Sequence, residues 1–241
     1  MNLVNLWKNL FILLLVEFCS LLFSPVLSIE NDLGLWAPIY LKAPITEKVK
    51  VNFEVNPRIQ ENVTHINQLL VRPSLGYQLN KHWSIWQGYA WVTNYIPHFV
   101  SEQRIWEQVL YEKESKKFSR FSFSNRLRLE ERFIQKVHGT PVRIRNMFRF
   151  QYALDKDKKW SAVLYDEPFI NLSTHHSGPQ SGVDQNRLFI GLNHKFSSYI
   201  SAEGGYLMQY LNIHAPKQDR INHNILLSLY FSLPQIIKSK E

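Results

Sequence analysis

The stretch FSFSNRLRLEERF, residues 121–133, places Phe121, Phe123, Leu127, Leu129 and Phe133 on one side of an extended chain and Ser122, Ser124, Arg126, Arg128, Glu130 and Arg132 on the other. Side chains of a strand alternate between its two faces, so period two sustained over this length predicts a strand with one oily and one ionic face. The next run repeats the pattern, with Val142, Ile144, Phe148, Phe150, Tyr152 and Leu154 opposed to Arg143, Arg145, Arg149 and Gln151. The final run INHNILLSLYFSL supplies Ile221, Ile225, Leu227, Leu229, Phe231 and Leu233.

Working outward, the same period marks eleven runs: 31–42, 48–60, 66–79, 83–95, 102–112, 119–136, 141–154, 160–172, 184–196, 199–212 and 221–233. NKH, EKESKK, DKDKK and SS form short polar turns, whereas 96–101, 137–141, 173–183 and 213–220 carry prolines and most of the connecting length. Short turns on one side and longer loops on the other predict an antiparallel up-and-down transmembrane β-barrel of the outer-membrane type. A single-chain bacterial barrel with both termini in the periplasm needs an even strand number. Eleven runs therefore predict twelve strands, with one hidden in the Pro-interrupted region 29–47; ten is the alternative. Short turns are expected to be periplasmic and the longer loops extracellular.

The chain has 241 residues, 45% hydrophobic and 20% charged, with a formal charge of +8. That fits one folded domain and excludes a disordered chain. Beyond the first thirty residues no apolar run is long enough for a membrane helix. At the amino terminus, Lys8 precedes a largely apolar run from Leu10 to Phe23, and Val26 and Ser28 have the small-residue spacing of a signal-peptidase site. Residues 1–28 are read as a cleaved signal peptide and 29–241 as one barrel domain. Cys19, the chain's one cysteine, leaves with that segment. An exported domain without disulfides fits a bacterial envelope.

A soluble periplasmic ligand-binding barrel would show similar alternation with the oily face inside. Arginines on one face of consecutive strands favour the membrane, as do aromatics near strand ends: Trp36, Tyr40, Tyr77, Trp83, Tyr95, Trp160, Tyr199 and Tyr210, read as interfacial girdles. With the oily faces outside, the lumen receives Glu102, Arg104, Arg126, Arg128, Glu130, Arg132, Arg143, Arg145, Arg149, Glu167, Arg187 and Glu203. Such a set forms either a salt-bridged plug or the lining of a narrow anion-favouring pore. Burial of an unpaired charge is costly, so Glu130, Glu167 and Glu203 are each expected to touch an arginine. Glu107, Asn125, Glu131 and Asn146 fall on the nominally oily face, and either a β-bulge that shifts the register or a position near the membrane edge would reconcile them.

The six segments WSIWQGYAWV, SEQRIWEQ, RLRLEERF, VLYDEPFINL, QNRLFIGLNHKF and AEGGYLMQ occur in that order. Together they resemble the uncharacterised bacterial family called domain of unknown function 2490, over most of the chain from Trp36 onward. The resemblance implies an exported outer-membrane β-barrel and supplies no activity, substrate or catalytic residue. One departure concerns outer-membrane barrels generally, which tend to end on an aromatic residue, whereas PQIIKSKE follows the last strand here.

Enzyme signatures are weak. There is no nucleophile-elbow serine and no cysteine in the mature chain, and Glu130 and Glu131 point to opposite faces. His175 and His176 are read as solvated loop residues and DKDKK as a turn, so no metal or other cofactor is expected. Nucleic acid is not expected as a partner, because the positive charge is spread through strands. Expected partners are outer-membrane lipids, the barrel-insertion machinery and a small anionic solute. A barrel enzyme acting on lipid or peptide at the rim is the alternative function.

Overall fold

The computed structural model describes residues 30–114, 120–213 and 218–237, which contain twelve strands and no helix. The expected leader lies outside the described residues. The strands are β1 (Glu30–Trp36), β2 (Ile39–Pro44), β3 (Val49–Gln60), β4 (His65–Gln78), β5 (Trp83–Asn94), β6 (Val100–Glu114), β7 (Phe121–Ile134), β8 (Val142–Ala153), β9 (Trp160–Asn171), β10 (Gly182–Lys195), β11 (Ile200–Leu211) and β12 (Arg220–Ser232). From β2 to β12 each pairs antiparallel with the next, and one sheet closes on itself.

Closure departs from the parity expectation. β1 runs parallel to β12 from Glu30 opposite Arg220 to Trp36 opposite Leu226, and β2 continues parallel to β12 from Ile39 opposite Leu229. On the other side both pair antiparallel with β3. β1 and β2 are therefore two pieces of one stave, and the closed wall has eleven staves. Pro38 has no N–H to contribute to a ladder, which interrupts the stave at this point. The gap is spanned by Ala37 N–H donating to the Pro57 carbonyl at 3.1 Å and by Leu229 N–H donating to the Pro38 carbonyl at 2.9 Å. A parallel first stave puts the two ends of the barrel chain at opposite rims, so the requirement for an even count does not apply.

The facing is apolar outside and polar inside. Leu75, Ile190 and Leu227 are more than half exposed, whereas Glu130 is 1% and Asn224 0% exposed. Outer aromatics cluster at the short-turn rim, where Trp83 and Tyr111 lie 4.7 Å apart, Phe123 and Phe150 5.2 Å, and Trp160 and His194 4.1 Å. Tyr77, Tyr95 and Tyr199 are also exposed. Trp36 and Tyr40 do not belong to such a girdle. Both face the lumen, where Trp36 is 3% exposed and Tyr40 stacks on Tyr230 at 4.8 Å. The interior also holds apolar groups among its charged ones, in two clusters: Trp36, Val163, Phe189, Leu207 and Leu226, and Leu70, Trp86, Ala90, Val92 and Trp106. Two glycines make room for the rings. A Cβ on Gly76 would collide with Trp86 and one on Gly88 with Trp106, each on the adjacent strand.

The polar residues on the oily face stay there. Among the described residues, the ladders joining β6, β7 and β8 contain no bulge, and register shifts occur only at Arg58/Ile59 and Val183/Gln185. Asn125 instead donates to Asn146 on the next strand at 2.7 Å, which satisfies one amide with another.

Candidate functional site

The lumen is divided along its axis. Near the long-loop rim, Glu102 accepts from Arg104 Nε at 2.6 Å and from Arg132 Nε at 2.6 Å. Glu130 accepts from Arg143 Nη2 at 2.7 Å and Arg145 Nη1 at 3.0 Å. Arg143 also donates to Asp184 at 2.7 Å, and Asn171 adds a further bond to that carboxylate at 3.0 Å. Neighbouring amides continue the packing, with Asn222 donating to Gln209 at 3.1 Å and Gln209 to Gln185 at 2.5 Å. Three arginines (104, 132, 143) and three carboxylates (102, 130, 184) balance one another here. Planar guanidinium forks suit this role because they stay charged and bind carboxylates through two parallel bonds.

Toward the short-turn rim the same staves enclose a cavity of about 1390 Å³. None of Glu102, Arg104, Glu130, Arg132, Arg143 or Asp184 lines this cup. Lys42, Arg58, Arg72, Lys81, Lys113, Arg126, Arg128, Arg145, Arg149 and Arg187 line it, ten cations against the four carboxylates Glu54, Glu112, Glu167 and Glu203. Glu167 accepts from Arg126 at 2.7 Å and from Arg145 at 2.9 Å, with Arg187 at 3.7 Å. Glu54 accepts from Arg72 at 2.5 Å, and Glu203 from Arg149 Nη1 at 3.1 Å.

Among the described residues, one arginine in the cup has no carboxylate at ion-pair distance and a second has one only near its limit. Arg58 donates to the Gln68 amide oxygen at 2.7 Å and lies 3.6 Å over the Trp36 ring, which Arg187 also approaches at 4.8 Å. Arg128 donates twice to the Gln108 amide oxygen, at 3.0 and 2.6 Å, and lies 3.8 Å over Trp106; Glu130 is 3.9 Å away. Each guanidinium is thus held by a neutral amide and a π face, an attraction that orients the cation without cancelling its charge.

All twelve lumen residues singled out in the sequence take part in this network. Glu130, Glu167 and Glu203 each accept from an arginine. The sequence reading missed Glu54, Arg58, Arg72 and Asp184. Glu54 and Arg58 share a face of VNFEVNPRIQ with Asn56 and were legible there; Arg72 shares its face with buried Leu70, and Asp184 sits at the register shift, which hid both. Outside the lumen, His175 is less free than its polar loop suggested. It bonds Ser173 at 2.8 Å and the His138 carbonyl at 3.0 Å, tying two long loops together.

An eleven-stave barrel with an ionic interior and an apolar exterior defines the class. The chain belongs to the family described as protein of unknown function (DUF2490), whose model matches residues 33–220. It is 30% identical over 225 residues to an uncharacterised protein of Methylorubrum extorquens, covering 90% of this chain and 96% of the relative. No solved structure matches the chain.

Proposed function

We propose that the protein spans a bacterial outer membrane as a barrel closed to through-flow, structural in the membrane and receptive only from one rim. The observation that carries this reading is the facing: exposed Leu75, Ile190 and Leu227 outside, buried Glu130, Arg143 and Arg145 inside. A lipid-exposed sheet must close to satisfy its backbone, and strands of twelve to fifteen residues from β3 onward exceed the nine to eleven needed to cross at a tilt. Export by residues 1–28, insertion by the barrel machinery and lipid contact on the outer face belong to this reading. The balanced half favours a plug over a narrow anion-favouring pore. Assigning short turns to the periplasm places the cup mouth and the carboxyl end there, and Glu30 at the outer rim.

The test is fractionation with outer membranes, together with faster migration of unboiled than boiled protein on a gel. A soluble protein without the heat shift would overturn the membrane assignment. Planar bilayers carrying the protein at high density should stay silent; discrete anion-selective steps would mean that the plug parts and would restore the pore. A lipid or phospholipid profile altered on deletion would favour the rim-enzyme alternative.

A further inference from the structure

We propose that the cup is a binding site for a small oxyanion of the phosphate or phosphorylated class, held against Arg58 and Arg128. This rests on the lumen being a blind cup, as above, and does not depend on membrane placement. Ten cations and four carboxylates line one cavity, and Glu130 beside it pairs with Arg145 at 3.0 Å and Arg128 at 3.9 Å, so positive charge stays in excess there. Arg58 and Arg128 are 7% and 6% exposed; among the described residues Arg58 has no carboxylate at ion-pair distance, a costly burial for a guanidinium, and Arg128 has only Glu130 at 3.9 Å, a carboxylate already held by Arg143 and Arg145. Both are fixed in place by Gln68 and Trp36 in one case and Gln108 and Trp106 in the other, so a ligand would meet donors already oriented.

Charge density selects the ligand class. A phosphoryl group brings close to two negative charges and three strong acceptor oxygens in one compact unit, whereas a carboxylate brings one charge and two oxygens. The cavity of about 1390 Å³ leaves space beyond the anion, and the stacked pair Tyr40 and Tyr230 gives its wall a flat face for an organic portion.

The experiment is isothermal titration of the full mature barrel, refolded in zwitterionic detergent, with pyrophosphate, inorganic phosphate, glucose 6-phosphate, citrate and chloride. Expected is saturable binding to the phosphate probes, tighter than to citrate or chloride and weakened by salt. Arg58→Gln and Arg128→Gln should each weaken pyrophosphate binding about tenfold or more, the worth of a charge-assisted hydrogen bond. Arg220→Gln, at the opposite rim, should bind as the wild type does. Pyrophosphate should also raise the unfolding midpoint of the wild type by more than that of either variant, since a ligand stabilises the state it binds. The gel heat shift shows that each variant is folded; if Arg128→Gln fails it, Arg58→Gln alone decides. Absence of phosphate or pyrophosphate binding at millimolar concentration would overturn the proposal, as would binding undiminished in a folded Arg58→Gln protein or citrate binding more tightly than any phosphate. A failed membrane fractionation with intact pyrophosphate binding would sink the membrane reading alone.

Discussion

Near the long-loop rim three arginines meet three carboxylates in direct ion pairs; toward the short-turn rim ten cations and four carboxylates line a cavity. The same staves and residue types build both halves, so composition does not explain the difference. Pairing does. Opposite charges at contact distance satisfy one another's hydrogen bonds and exclude water, whereas an excess of guanidinium groups repels and keeps space that water or an anion must fill.

The largest effect expected from breaking the balanced half is that of Arg143→Leu. It would strand Glu130 and Asp184 without their closest donor and should cost about 3–5 kcal/mol, the usual penalty for removing one partner of a buried pair. Denaturant unfolding in detergent micelles measures it, and a loss below about 1 kcal/mol would show that the network contributes little. Access sharpens the contrast next. Single cysteines in a Cys19-free mature chain should react with a water-soluble maleimide at least about tenfold faster at Ser124, on the cup wall, than at Asn222, which is 2% exposed in the packed half; equal rates would mean an open channel.

Arg58→Leu should be the counter-case to Arg143→Leu. No close carboxylate is left behind, and the lost stacking and amide bond are offset by removal of an uncompensated charge, so stability should change by no more than about 1 kcal/mol in either direction. A cost equal to that of Arg143→Leu would erase the distinction between the halves. Smallest of all is Arg220→Ala. The Arg220–Glu30 bridge is 42% and 55% exposed at the rim, and unfolding should shift by well under about 1 kcal/mol, as for other solvent-screened pairs.

Much of this was legible beforehand. Runs such as Phe121–Phe133 carry their facing in their own alternation, because the pleat turns each residue opposite to its neighbours whatever else the chain does. Glu54, Asn56 and Arg58 display the same signal. Arg72 was obscured by Leu70 on its face, and an aromatic ring near a strand end does not reveal which way it points. Trp36 supports two guanidinium groups inside, whereas Trp83 packs against Tyr111 outside. The quoted segments also contain Gly88 beside Trp106, a pairing that becomes visible only when β5 and β6 are set in register.

By itself the sequence determined an all-β chain, the spacing of its strands, the ionic character of one face and the family to which it belongs, since each is written in local period or in ordered motifs. Tertiary structure decided that β1 and β2 share one stave, that closure is parallel, and that the charges divide into a paired cluster near one rim and a cation-rich cavity toward the other. Those outcomes depend on which residues meet across strands and around the ring. Residues such as Arg143 and Asp184 or Glu30 and Arg220 lie far apart in the chain, and no local pattern encodes their meeting.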